Sequence, residues 1–180
     1  MRVFIGFKIE DKIKEQLNKI QLDLKKRFIK GNYTSAGNLH LTLKFIGEVS
    51  QDRIEGIKQC LNEVDFQKFK LKGNKIGLFE RRNKAIIYFA IEENKELVLL
   101  YQEISKSLYR KGLIEKGQLN ISYRPHVTLV RNIPLGREIK EYITSYKIKA
   151  EVLSLREITL FESVRIDDVL VYRSIYDKSL

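Results

Sequence analysis

Residues 5–12 read "IGFKIEDK" and residues 87–94 read "IYFAIEEN", an offset of 82. The same offset carries "IGLFE" at 76–80 onto "ITLFE" at 158–162. Either match alone is short enough to be accidental. The shared offset makes them one internal repeat, and a repeat changes how every motif inside it is read. The chain's two histidines fall within it. His40 in "NLHLTLKF" and His126 in "YRPHVTLVR" are 86 apart, so four additional residues in the second half bring them into correspondence. The 180 residues therefore read as one domain with an internal repeat, approximately 1–84 and 85–180.

Each half runs in the same order. "RVFIGFKI" and "AIIYFAI" are rich in β-branched and aromatic residues and short enough for strands. Amphipathic helices follow, with Ile13, Leu17, Ile20 and Leu24 on one stripe and Leu97, Leu100, Ile104 and Leu108 on the other. Gly112 after Arg110 and Lys111 is a helix stop. The histidine segments are strands, and each leads to a shorter helix, "QDRIEGIKQCLNEV" or "GREIKEYITSY". A long strand comes next in each half, "FQKFKLKGNKIGLFE" or "YKIKAEVLSLREITLFE". "DDVLVYRSI" closes the chain as a last strand. It matches "KAIIYFAI" in position after the "LFE" anchor, so the strands after the long strand change partner between lobes. The expected class is α+β and bilobal: two pseudo-symmetric lobes, each an antiparallel-rich sheet with helices on its outer side, and a cleft between them.

The composition sets the surroundings. With 34 Lys plus Arg against 23 Asp plus Glu, the net charge of +11 suits a polyanionic partner. A lysine-rich surface serving solubility gives the same excess. The single cysteine, Cys60, forms no intramolecular disulfide and fits a reducing compartment. No apolar run approaches the roughly 18 to 20 residues of a membrane span. The expectation is a soluble, cytoplasmic monomer with no membrane association.

In a strand, residues two apart share a face. His40, Thr42 and Lys44 should therefore project together, opposite Leu41, Leu43 and Phe45, and His126 and Thr128 should project together, opposite Val127 and Leu129. Threonine occurs five times in the chain. Finding it two places after both histidines by chance has odds of about one in a thousand. Two such strands related by an approximate two-fold axis would face one another across a cleft. Two imidazoles flanking one group suit a phosphodiester reaction: the neutral one takes a proton from water, and the protonated one gives a proton to the leaving oxygen. In-line attack sets their reactive nitrogens about 6 to 9 Å apart. The threonine hydroxyls would hold nonbridging oxygens. Two histidines without a third, a distant cysteine and no carboxylate beside either motif make a poor zinc site, and no phosphate-binding glycine loop is present. No metal and no cofactor are expected.

"NLHLTLKFIGEV", "RPHVTLVR" and the opening strand "RVFIGFKI" resemble the two-histidine phosphoesterases, most closely the RNA 2′,3′-cyclic phosphodiesterases once called 2′-5′ RNA ligases. The resemblance spans nearly the whole chain. It implies a bilobal fold and metal-independent hydrolysis of an RNA terminal 2′,3′-cyclic phosphate to a 2′-phosphomonoester, with reversible 2′-5′ ligation as the related transfer. It also implies that His40 donates a proton to the departing 3′-oxygen, that His126 accepts one from water, and that Thr42 and Thr128 bind phosphate. Arg131 matches a position that is basic in the family, although strict alternation puts it opposite His126. Phe45 matches an aromatic position, although its face points to core packing. Tyr123, Arg124 and Lys44 complete the expected substrate contacts, with Tyr123 and Arg124 reaching a base or phosphate beside Pro125.

Two readings compete with this one. The first is a non-catalytic module that binds RNA ends; it has no need of a matched acid and base, since lysines supply charge more simply. The second keeps the chemistry but acts on a small cyclic nucleotide, ADP-ribose cyclic phosphate or a 2′-5′ oligonucleotide.

Overall fold

A computed structural model describes residues 1–28, 30–119 and 122–180. Among these, nine strands and five helices follow one another as β1 (Arg2–Lys8), α1 (Asp11–Arg27), β2 (Asn32–Tyr33), β3 (His40–Glu48), α2 (Gln51–Asn62), β4 (Phe69–Arg81), β5 (Lys84–Ile91), α3 (Lys95–Arg110), α4 (Lys116–Leu119), β6 (His126–Pro134), α5 (Arg137–Ser145), β7 (Glu151–Leu155), β8 (Glu157–Ile166) and β9 (Val169–Ser179). A 3-10 turn, Ala36–Asn38, precedes β3. No described helix is long and apolar enough to cross a membrane.

The helices form where the apolar stripes predict. Ile13, Leu17, Ile20 and Leu24 of α1 and Leu97, Leu100, Ile104 and Leu108 of α3 are all buried. Burial stabilises each by about 2 kcal/mol. Asn94 caps α3 by accepting from the Leu97 N–H at 2.8 Å. The helix ends as expected: Gly112 takes φ +65°, and the Leu113 N–H returns to the Leu108 carbonyl.

The strands make one antiparallel sheet in the order β7-β4-β5-β6-β3-β1-β8-β9, with β2 paired to β6. It consists of two four-stranded runs, β3-β1-β8-β9 and β6-β5-β4-β7, joined where Leu41 of β3 pairs with Val127 of β6. Each run starts at a histidine strand and continues to the strand that opens the same half of the sequence. It then takes its third strand from the other half: β8 pairs with β1, and β4 with β5. The exchange thus begins one element earlier than expected, with the strand that carries the "LFE" anchor. The cause is local, because β4 turns into β5 through Arg82 and Asn83 and must share its run.

The expected long strand from Tyr146 to Glu162 also differs. It divides at Arg156: β7 pairs with β4 and β8 with β1, so the chain crosses between runs there. Helices follow the same exchange, α1 packing on β6 and α3 on β3. They cover the face that carries Leu41, Leu43, Val127 and Leu129, all within the single apolar core. The histidines are left on the opposite face.

Candidate active site

His40 and His126 line one cleft of about 660 Å³, together with Phe4, Thr42, Phe45, Arg131 and Tyr172. Each opens its strand, so its Cβ leaves the sheet at the seam where the two runs meet. Both rings are held in the same way. His40 Nδ1–H donates to the Asn38 carbonyl at 2.7 Å, and His126 Nδ1–H donates to the Arg124 carbonyl at 2.7 Å. A carbonyl only accepts, so the neutral tautomer leaves Nε2 unprotonated, an acceptor, in both rings. His40 Nε2 takes the Thr42 hydroxyl at 2.9 Å. The two tethers match atom for atom.

A second symmetry explains the remaining side chains. Gly6 pairs with Thr42 while Ile5 pairs with Lys44, so Leu43 is an extra residue, a β-bulge. Tyr88 pairs with Thr128 while Ile87 pairs with Val130, so Leu129 is the corresponding bulge in β6. A bulge shifts every later side chain to the other face. Arg131 therefore lies on the histidine face, where its Nη2–H donates to the Thr128 hydroxyl at 3.3 Å. Phe45 also reaches that face. It is 47% exposed and lines the cleft, which corrects the core position that alternation implied.

Lys44 is corrected in the opposite sense. It is 3% exposed, and its Nζ–H groups donate to the Gln118 carbonyl and, at 3.3 Å, to the Tyr101 hydroxyl. The bulge turns it away from Thr42 and towards α3. Tyr123 stacks on Tyr101 and donates to the Thr42 carbonyl at 3.0 Å, so it braces the first histidine strand from the second half of the chain. Burial raises its phenol well above the usual range. Arg124 is exposed, its carbonyl orients His126, and its side chain lines a neighbouring cavity of about 580 Å³ with Tyr123, Phe79 and Arg81.

The two histidines sit in aromatic settings that the sequence did not reveal. His40 lies 4.7 Å from Phe4, 5.8 Å from Phe161 and 4.8 Å from Tyr172. His126 lies 5.1 Å from Phe79 and 5.3 Å from Tyr88. Phe79 and Phe161 are the phenylalanines of the two "LFE" anchors, each beside the histidine of the other half. The anchor was the signal; its purpose appears only once the strands exchange. Asn38 is a further contributor. Besides its carbonyl, its side-chain amide donates to the Leu170 carbonyl at 2.7 Å and accepts from the Tyr172 N–H at 2.9 Å, pinning β9 to His40.

Enclosure dominates the electrostatics. Burial, opposed by the bond to Asn38 and reinforced by Arg131 and His126, pushes His40 down to about 4. His126 is lowered by burial too, with Arg124's carbonyl opposing and Arg131 adding. Both imidazoles are neutral at pH 7 while the cleft is free of an anion. Among the described residues, no group of three His, Cys, Asp or Glu side chains is placed to hold a metal ion. The chemistry these residues offer is proton transfer at two Nε2 atoms, beside a guanidinium and the Thr42 hydroxyl, while Thr128 is buried outside the cleft lining and meets Arg131.

Comparison with known proteins gives concordant results. Residues 7–88 match the family described as LigT like phosphoesterase. An RNA 2′,3′-cyclic phosphodiesterase of Methanocaldococcus jannaschii is 32% identical over 150 residues, which cover 82% of each chain. Another, of Archaeoglobus fulgidus, is 24% identical over 178 residues, covering 97% of this chain and 98% of that one. Among solved structures, a phosphoesterase superposes with a TM-score of 0.82 at 21% identity, covering 99% of this chain and 97% of that one. The apo form of LigT from E. coli gives 0.78 at 21% identity, covering 99% and 96%. At such identity the structural likeness bears on the fold alone.

Proposed function

The chain belongs to the LigT-like phosphoesterase family, and from that membership we propose that it hydrolyses the 2′,3′-cyclic phosphate at an RNA end to a 2′-phosphomonoester, without a metal. The observation that carries the reading is the pair of histidines tethered alike through Nδ1, with both rings lining one cleft beside Arg131.

In the proposed step the neutral His126 Nε2 takes a proton from water as the water oxygen attacks phosphorus. The bond from phosphorus to the 3′-oxygen breaks, and His40 Nε2–H gives that oxygen a proton. The products are a 2′-phosphate and a 3′-hydroxyl, and solvent restores both histidines. His40 is the more deeply enclosed of the two, between Phe4, Phe161 and Tyr172, so a proton held there by phosphate makes it the stronger acid. Arg131 and the hydroxyls of Thr42 and Thr128 would hold the nonbridging oxygens, Thr42 once its hydroxyl turns from His40 Nε2 and Thr128 once Arg131 turns its guanidinium to the phosphate. Phe45, half-exposed at the cleft, offers an apolar face to a base. The same two groups working in reverse, with an RNA 5′-hydroxyl in place of water, would form a 2′-5′ linkage.

The test is incubation of the purified protein, with chelator, with an RNA ending in 2′,3′-cyclic phosphate, followed by identification of the product. A 2′-phosphate is expected, and His40→Ala and His126→Ala should each lose about three or more orders of magnitude in rate with little change in RNA binding. Absence of turnover, or turnover abolished by chelator, overturns the proposal. A 3′-phosphate product reverses which ribose oxygen leaves.

A further inference from the structure

Four arginines line the cleft shared by the two histidines: Arg2, Arg81, Arg131 and Arg165. No carboxylate lines it, and among the described residues none of the four is in an ion pair. Elsewhere on the molecule Arg27, Arg137 and Arg173 each hold a carboxylate at 3.0 Å or closer. The cleft thus gathers four guanidinium groups with no carboxylate among its lining residues. Guanidinium forks left without carboxylates are suited to phosphate.

The reacting group does not use them all. A cyclic phosphodiester carries a single negative charge, and Arg131 already stands against Thr128 beside the histidines. Arg2 and Arg165 lie further along one side. Arg2 is two residues from Phe4 on the same face of β1, about 7 Å along the strand, and the Phe4 ring is 4.7 Å from that of His40. Its guanidinium sits over the Phe45 ring at 5.1 Å. On β8, Ser163 pairs with Tyr172, the residue that meets His40 edge-on, and Arg165 follows on the same face one strand repeat beyond. Arg165 is anchored near the β8–β9 turn, where Asp167 and Asp168 take φ of 47° and 62° and the Arg165 Nη1–H donates to the Asp168 carbonyl at 2.7 Å. Both cations therefore line the cleft on its Phe4 and Tyr172 side, beyond the rings that meet His40. The neighbouring cavity lies on the Phe79 and His126 side: Arg81 and Arg124 line it, with Lys44, which is bonded to Gln118 and Tyr101.

We infer that Arg2 and Arg165 form a second anion subsite, which takes the phosphate on the 5′-oxygen of the nucleotide whose cyclic phosphate reacts. In RNA that phosphate is the diester to the preceding nucleotide; in a free nucleotide it is a 5′-monophosphate. The subsite rests on the phosphodiesterase reading above and deepens it, because it sets a preference for an end already embedded in a chain over a bare nucleoside cyclic phosphate.

The experiment compares KM for three substrates: a nucleoside 2′,3′-cyclic phosphate with a free 5′-hydroxyl, the same compound with a 5′-phosphate, and a dinucleotide ending in the cyclic phosphate. The wild-type chain should favour the second and third over the first by roughly 10- to 100-fold. In Arg2→Gln/Arg165→Gln that ratio should fall towards one. It should persist in Arg110→Gln/Arg156→Gln, which removes equal charge outside the cleft lining. A wild-type ratio near one, a ratio unaltered in the cleft variant, or an equal fall in both variants overturns the subsite. A 5′-phosphate that acts without a dinucleotide effect assigns the subsite to free nucleotides and overturns its role on RNA. Should no substrate turn over, the hydrolytic reading fails, and the subsite is still tested by calorimetric binding of a nucleoside 2′-monophosphate against the 2′,5′-bisphosphate, where the same ratios apply.

Discussion

Anion binding should draw a proton into the cleft. In the free chain His40 is held at about 4 by burial, with Arg131 and His126 adding to the effect. It is then only about 1% protonated at pH 6. A bound anion about 4 Å from the ring contributes about 4 kcal/mol at an effective dielectric constant near 20. At 1.36 kcal/mol per unit this raises the group by about three units, to near 7. The protonated fraction at pH 6 then becomes about 0.9, an uptake close to one proton. Sulfate suits the measurement because it does not titrate in this range, and its second negative charge raises the group beyond the single-charge value. Calorimetric titrations at pH 6 in two buffers of different ionisation enthalpy give the proton count directly. The two imidazoles are coupled, so the proton belongs to the pair in the wild type. If it rests on His40, His40→Gln loses the uptake and His126→Gln retains it. Uptake lost only in His126→Gln reverses the donor and acceptor. Uptake below about 0.2 proton in the wild type refutes the electrostatic reasoning itself.

The depressed histidine also makes folding stability depend on pH. His40 titrates near 4 in the folded chain and near its ordinary 6.5 when unfolded, so the unfolded state binds more protons between these values and stability falls as pH drops through that window. The loss should approach about 3 kcal/mol by pH 4, read as the difference in urea midpoints between wild type and His40→Gln at pH 7 and pH 4.5; parallel curves would contradict it. A second perturbation tests the first bulge. A Cβ at Gly6 would lie 2.5 Å from the Leu41 carbonyl oxygen, which is backbone and cannot yield cheaply. Gly6→Ala should cost about 1 to 3 kcal/mol in a denaturant melt and lower kcat by shifting Thr42, its pairing partner. Unchanged stability and kcat would show that the close approach is not required.

Much of the fold is legible in the chain because its determinants are local or periodic. The stripes of α1 and α3, the stop at Gly112 and the alternation of His40-Leu41-Thr42-Leu43 each depend on residues within a few positions. The repeat at an offset of 82 then pairs the two histidine strands without any knowledge of their contacts. The division at Arg156 was hidden because "YKIKAEVLSLREITLFE" keeps strand character throughout, and only the pairing partners on either side reveal that it crosses between runs.

The sequence by itself determined that two histidine-threonine strands are equivalent and that the apolar residues between them face a core. Tertiary structure decided what surrounds them. Leu43 and Leu129 look like ordinary inward leucines; a bulge exists only in the register between two strands, so no single strand's pattern can announce it. Those two bulges bring Phe45 and Arg131 to the histidine face and send Lys44 into the interior. The exchange of β4 and β8 brings Phe79 and Phe161 against the histidine of the opposite half. Residue type and period set each strand's own faces, but the site is made of neighbours far apart in the chain, and their meeting is a property of pairing and packing.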